Sequence, residues 1–263
     1  MTKAKTELTA LVDGDVFIFR AALAAERPIE WDDRIWTLHA DMGEALRHFD
    51  NMMDIVLERT GASSIIVALS DRQNFRREIL PSYKHNRKDK RPPLLRQPLK
   101  EIVQEKYRCY MRPLLEGDDV LGILATSETV TRGDKIVVSI DKDMKTLPCT
   151  YYNYDDDTSV TYTEDEADYN HLLQTLAGDA ADGYAGCPGI GIKRAEKLFE
   201  GYWPEAGLDR NAAWRLIVGA FEKAGLDEGC ALTQARVARI CRYTDYDFKA
   251  GRPILWTPKG EKK

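Results

Sequence analysis

Three short apolar runs stand out along the chain: "LTALVD" (8–13), "SSIIVALSD" (63–71) and "KIVVSID" (135–141). Each is too short and too continuous in its apolar character for an amphipathic helix, and reads as a strand buried on both faces. The stretch "LVDGDVFIF" (11–19) sets Asp13 and Asp15 at the end of the first run, where burying an unpaired carboxylate would cost several kcal/mol. Segments with helical spacing separate the runs. They are "TLHADMGEALRHFDNMMDIVLERTG" (37–61) after the first and "GDDVLGILATSETVTRGD" (117–134) before the third. Strand and helix alternating at this spacing predict an α/β domain with a central, mostly parallel sheet flanked by helices. "YRCYMRP" (107–113) reads as a further short strand. "CTYYNYDDDTSVTYT" (149–163) reads as a hairpin whose acidic turn is solvated. Beyond residue 168 the pattern turns to helices, loops and glycines. The expected division is therefore an α/β domain over 1–167 and a helical domain over 168–263.

Composition changes this picture little. A chain of 263 residues with 43% hydrophobic and 31% charged residues can fold around a full core. No apolar stretch at the N-terminus resembles a signal peptide, and no run is long enough to span a membrane. The five cysteines, at 109, 149, 187, 230 and 241, include no Cys-x-x-Cys pair. They are expected to be reduced thiols in a cytoplasmic protein.

Charge changes it more. The net charge is −5, yet residues 72–112 hold 13 Lys and Arg against 4 Asp and Glu, a local +9 that leaves −14 for the rest. Such asymmetry suggests one basic surface facing an anion, or else a solvated charged helix.

The carboxylates carry the chemistry. All three buried strands end on aspartate, at Asp13, Asp71 and Asp141, with Asp143 two residues on. Ligands of parallel sheets bind beyond that edge. "EGDDV" adds Glu116, Asp118 and Asp119 at a helix start, and "GDAADG" adds Asp179 and Asp182. Capping explains one acid at a helix start, not three in four positions. So many anions converging require cations, and oxygen ligands suit Mg²⁺ or Mn²⁺, two ions rather than one. Two readings remain open at this point. "VDGDV" also fits the Asp-x-Asp nucleophile of haloacid-dehalogenase phosphatases, with Asp13 attacking. That chemistry leaves Glu116, Asp118, Asp119, Asp141 and Asp143 without a task.

"GCPGIGIKRAEKL" (186–198) follows the last acids directly. It reads as a tight glycine turn opening a helix, whose free N–H groups, with Lys193 and Arg194, make a phosphate site. "GDAADGYAGCPGIGIK" resembles the Gly-Asp-x-x-Asp and Pro-Gly-x-Gly-x-Lys elements of the flap endonuclease / 5′-nuclease family. "LVDGDVFIFRAA", "LSDRQNFRREILPSYKHNR", "EGDDVLGILA" and "SIDKDMKTL" resemble that family's other motifs in the same order, over roughly residues 8–200.

The resemblance implies a PIN-like domain, a basic helical arch over about 81–106, and a helix–three-turn–helix element over about 178–200. It implies metal ligands Asp13, Asp71, Glu116, Asp118, Asp119, Asp141, Asp143, Asp179 and Asp182, and Lys84 and Arg87 at the scissile phosphate. Arg72, Arg76, Tyr83, Lys84, Arg87, Gly189, Gly191, Lys193 and Arg194 would contact DNA, with Tyr83 stacking on terminal bases. The implied activity is two-metal 5′–3′ exonuclease or flap-endonuclease hydrolysis of DNA bearing 5′ ends, nicks or flaps. The implied enzyme is of phage type and monomeric, open to the RNA strand of hybrids, with K⁺ a candidate ligand of the helix–three-turn–helix turn. Asp15 stands where relatives more often carry Ser, Thr or Asn, and a role behind the ligands or in the turn is expected rather than direct ligation. Gly183 replaces the usual Asn. Beside the phosphatase, the rivals are a PIN-type ribonuclease, which lacks the glycine turn, and a non-catalytic DNA-junction binder.

Overall fold

The computed structural model describes residues 7–87, 90–201 and 207–258. The elements run β1 (Leu8–Asp13), α1 (Gly14–Ala24), β2 (Glu26–Asp32), β3 (Ile35–Ala40), α2 (Met42–Thr60), β4 (Ser64–Ala68), α3 (Arg76–Ile79), α4 (Arg96–Lys106), β5 (Cys109–Tyr110), α5 (Gly117–Thr126) and β6 (Asp134–Ser139). Then follow β7 (Thr150–Asn153), β8 (Thr158–Thr161), α6 (Glu164–Ala177), α7 (Ile192–Phe199), α8 (Arg210–Lys223) and α9 (Glu228–Ala238).

One sheet of order β5-β4-β1-β6-β7-β8 forms the centre. Its strands are parallel except β8, which returns antiparallel to β7. Successive side chains leave opposite faces of a strand. Ala10, Val12, Val67, Ile136 and Val138 face one core, with α1, α2 and α4. Leu11, Ile66, Ala68 and Val137 face the other, with α5. Burying each large side chain among these contributes about 1.5–3 kcal/mol. A third core joins α6 to α9. The chain then returns to the sheet, where Ile240, Cys241 and Tyr246 complete the second core. The division expected at residue 167 is thus crossed by the C-terminal segment.

Strand β1 ends at Asp13, as read, because Gly14 opens α1 and the Asp13 side chain caps it by accepting from Val16 N at 3.3 Å. Gly14 lies so close under β4 that a Cβ there would stand 2.4 Å from Val67 Cγ1. Residues 37–40 are strand, not helix: they belong to the β2–β3 hairpin, whose tip exposes Trp31 and Trp36. The helix read over 117–134 ends at Thr126, where residues 127–133 form a bend before β6.

The segment expected as an arch, 81–106, divides in two. Residues 85–87 form a 3₁₀ turn, whereas α4 packs on the sheet with Leu99 and Val103 fully buried. That half is core and cannot arch over anything. Residues 88–89 of the segment, and residues 202–203 of the C-terminal helical run, lie outside the described residues.

Candidate active site

Each acid is placed by the element that precedes it. Asp13 ends β1, only 3% exposed, and accepts from Ser139 Oγ of β6 at 2.8 Å. Asp141 follows β6 and caps the 3₁₀ turn 142–146 through Asp143 N at 2.8 Å. Glu116 and Asp118 stand at the start of α5. Asp179 follows α6, and its carboxylate accepts from the Ala181 and Asp182 amides at 2.7 and 3.3 Å. Asp182, three residues on, lines the site's cavity. Gly183 then takes a φ of +76°, and a Cβ there would stand 2.9 Å from the Ser82 carbonyl. Glycine at that position lets residues 82–84 lie against the loop, where Lys84 N donates to the Asp182 carbonyl at 2.8 Å.

Glu116, Asp118, Asp143 and Asp182 line one small cavity, with about 20 Å³ of room for a water's centre. Their charges interact strongly. Burial pushes Asp13 up to about 7, with Asp15 and Asp141 adding to the shift. Burial, then the Asp13 and Asp141 charges, hold Asp118 well above the ordinary carboxylate range. Burial and Asp141 raise Asp143 to about 6. Glu116 goes the other way. Burial opposes its ionisation, but Lys84, Arg76 and the Tyr83 hydroxyl outweigh it and bring the group down to about 2.

Cations of the chain meet these acids. Lys84 Nζ donates to Glu116 at 2.7 Å and stands 3.4 Å from Asp182. Arg87 pairs with Asp182 and Lys142 with Asp179. Asp15 is bound by the Ser70 amide at 2.7 Å and by Lys100 at 3.2 Å, which ties α1 to the segment after β4 and to α4. Among the described residues no three His, Cys, Asp or Glu side chains are grouped in a metal-holding arrangement. The donor set nevertheless suits a hard divalent ion: it is all carboxylate oxygen, and Asp143 Oδ1 is buried without a hydrogen-bond partner.

Several expected roles are corrected. Asp119 is fully buried and holds Arg76 bidentately at 2.6 and 2.7 Å, while accepting from the Cys241 and Glu116 amides. Its oxygens are committed, so it is a structural anion and not a metal ligand. Arg76, 3% exposed, also donates to the Val237 and Arg239 carbonyls, and so cannot reach DNA. Tyr83 is 4% exposed, and its hydroxyl donates to Glu116 at 2.8 Å and approaches Asp182 at 3.2 Å. In this arrangement its ring has no free face for a base. Asp71 sits at the margin, its carboxylate accepting from the Arg72 and Leu114 amides. Arg72 is exposed. Part of the local +9 is offset by ion pairs, since Arg91 pairs with Glu26, Lys100 with Asp15 and Lys106 with Asp50, the first and last at the surface. Arg72, Arg77, Lys90, Arg96 and Arg108 have no ion-pair partner among the described residues.

The glycine turn is as read. Gly189 has a φ of +75°, Gly191 caps α7 without a side-chain hydrogen bond, and Lys193 and Arg194 are exposed in the first turn. Arg194 braces the turn by donating to the Gly189 carbonyl at 2.9 Å. Sequence reasoning missed Gln174 and Tyr184, which also line the cavity. A lone amide inside "LLQTLA" was the available signal for the first.

The raised acids set a pH dependence. Native Asp13 and Asp143 keep protons that the unfolded chain releases above its ordinary carboxylate range, so their contribution to stability falls as pH rises from about 4 to about 7. Glu116 contributes oppositely, losing its stabilisation only as pH falls towards 2. In EDTA the melting temperature should therefore drop by several degrees between pH 5 and pH 8. Thermal melts across that range test this, and a rising melting temperature would contradict it.

Comparison with known proteins fits this geometry. Residues 8–171 match the family described as 5′–3′ exonuclease, N-terminal resolvase-like domain. An exodeoxyribonuclease of Enterobacteria phage T3 is 30% identical over 95% of this chain and 92% of its own length. An exonuclease of Escherichia phage T7 is 30% identical over 94% of this chain and 93% of its own. The fold is also that of a bacteriophage T5 flap endonuclease, solved as a pseudo-enzyme–product complex with DNA and metal ions. That likeness has a TM-score of 0.63 at 15% identity and covers 88% of this chain and 89% of the other. The resolvase-like, PIN-type sheet, the order of the acidic motifs and the full-length phage relatives agree, and the chain belongs to the 5′–3′ exonuclease family of nucleases.

Proposed function

We propose that this chain hydrolyses phosphodiesters of DNA bearing 5′ ends, nicks or flaps, as a 5′–3′ exonuclease and flap endonuclease that requires Mg²⁺ or Mn²⁺. One observation carries the reading: Glu116, Asp118, Asp143 and Asp182 line a single cavity beyond the sheet edge that Asp13 closes, and one buried Asp143 oxygen has no partner. Anions so close are stable together only when cations offset them. Family membership sets aside the phosphatase alternative, and an intact acidic site argues against a non-catalytic binder.

Asp13, Glu116 and Asp118 on one side, and Asp141, Asp143, Asp179 and Asp182 on the other, would hold two ions. Bound divalent ions would supply an activated water and charge stabilisation at the phosphate. The chain's own residues do the rest. Lys84 and Arg87, now paired with Glu116 and Asp182, are placed to exchange those partners for phosphate oxygens. Asp15, Ser70 and Lys100 fix the start of α5 and with it Glu116. The α7 turn would grip duplex phosphate, without reading bases, and its carbonyls are the candidate K⁺ ligands. The enzyme is read as a monomer of the cytoplasm that also accepts the RNA strand of hybrids, its α/β part catalytic and its helical part holding duplex. No described helix is long and apolar enough to cross a membrane.

A 5′-labelled flap and a nicked duplex, incubated with Mg²⁺, Mn²⁺ or EDTA and scored by product length, test the reading. Cleavage in EDTA equal to that in Mg²⁺ would overturn it. Grip and chemistry should also separate. Lys193→Ala with Arg194→Ala should weaken binding of every duplex substrate and reduce its salt slope by up to about two, while saturating enzyme restores the single-turnover rate. Lys84→Ala should lower that rate at saturation, with a smaller effect on binding. Normal duplex binding by the first variant together with normal cleavage by the second would refute these roles.

A further inference from the structure

Among the described residues, four buried side-chain atoms have no hydrogen-bond partner: Thr131 Oγ1, Asp143 Oδ1, Gln174 Oε1 and Arg242 Nε. Two of them belong to residues lining the same cavity, where Asp143 and Gln174 stand with Glu116, Asp118 and Asp182. An unsatisfied acceptor in a folded interior is destabilising, and a leucine or methionine would fill the position without that loss. The buried neighbours on α6 are apolar, as Leu172, Leu173 and Leu176 are, or hydrogen-bonded, as His171 and Thr175 are to the Ala235 and His171 carbonyls, so the unpaired Gln174 oxygen calls for a reason.

Its setting supplies one. Gln174 is 8% exposed and lies five residues before Asp179. Its backbone carbonyl accepts from Gly178 N at 2.8 Å, which fixes the helix end that launches the last two acids. Its side chain lines the cavity beside Asp143, and its carbonyl oxygen is buried there without a hydrogen-bond partner. The acids around it offer acceptors once ionised. A donor for that oxygen has to come from the cavity itself, which has room for about one water.

We propose that Gln174 is a positioning residue of the acidic site, its unpaired carbonyl oxygen accepting from a water bound to a divalent ion held by Asp143 and Asp182. The proposal rests on the metal-dependent reading above, and it gives α6 a direct part in ion affinity. A partner of this kind, one step removed from the ion, typically changes metal affinity by about 10–100-fold when lost.

The test uses the full-length protein with Mn²⁺ alone as the probe, titrated by electron paramagnetic resonance, beside Gln174→Met, Gln174→Glu and Asp143→Asn. Gln174→Met keeps the volume and removes both polar atoms. It should weaken one Mn²⁺ site by about 10–100-fold, with an equal or higher melting temperature in EDTA. Gln174→Glu restores an acceptor and should bind Mn²⁺ more tightly than Gln174→Met. A purely structural glutamine would change the melting temperature and leave Mn²⁺ affinity alone. Wild-type Mn²⁺ affinity in Gln174→Met, or weaker binding in Gln174→Glu than in Gln174→Met, would overturn the proposal. Failure of the underlying reading looks different: wild-type protein and Asp143→Asn would then take up Mn²⁺ equally poorly.

Discussion

Asp118→Asn should slow single-turnover cleavage of a 5′ flap by about a thousandfold or more, which corresponds to ~4 kcal/mol of barrier. The same substitution should raise the melting temperature of the protein in EDTA. Both effects have one cause. Asp118 is held among Asp13, Asp141 and Glu116, where burial and like charge oppose its ionisation. Removing that anion relieves repulsion in the metal-free fold and deprives bound cations of a ligand when they are present. Function here is sustained against stability, as at many charged sites. Duplex binding in Ca²⁺ should survive the change, because the phosphate grip lies elsewhere. Cleavage at the wild-type rate, or a melting temperature lowered in EDTA, would separate Asp118 from the role assigned to it.

The second large effect is on stability. Arg76→Ala should destabilise the protein by about 3–5 kcal/mol, because it strands the fully buried Asp119 carboxylate. For a chain of this size that is a fall of about 10 °C in melting temperature. It also removes the donors to the Val237 and Arg239 carbonyls, which fasten the C-terminal segment to the segment entering the site. Asp119→Ala should cost about as much, and the double variant should be far from additive, since both singles break one interaction. Arg77→Ala, at the exposed neighbour, is the control and should change stability little. Were Arg76 a DNA contact, Arg76→Ala would weaken duplex binding with an unchanged melting temperature. Denaturant titrations and binding isotherms on the same samples distinguish the two.

Much of this was legible along the chain. Strands β1, β4 and β6 were evident because each is apolar on both faces, which only a covered parallel sheet requires. Aspartates closing those strands, the "EGDDV" helix start and the "GDAADG" loop pointed to one acidic site, since strand direction alone puts strand ends on one edge. The glycine turn before α7 was readable from its own residues. Such features are local, and local pattern encodes them.

What the sequence left open was decided by partners distant along the chain. The apolar run after Asp13 is short enough to suit strand or helix, and helix won because Gly14 can lie against Val67 and Ala68 of β4. The β2–β3 hairpin is exposed on both sides, so it carries no alternation to betray it. Asp118 and Asp119 are adjacent and chemically equal. Rotation about α5 sends one to the site and the other to Arg76, 43 residues away. The same distinction splits the cations of residues 72–112, since ion pairs formed across the fold keep Arg76, Lys84 and Lys100 largely covered while Arg72 and Arg77 stay exposed. Sequence therefore determined which residues could carry charge to the sheet edge. Tertiary packing alone decided which charges face the cavity and which are neutralised inside, because Coulomb attraction and desolvation depend on distances and burial that residue order does not contain.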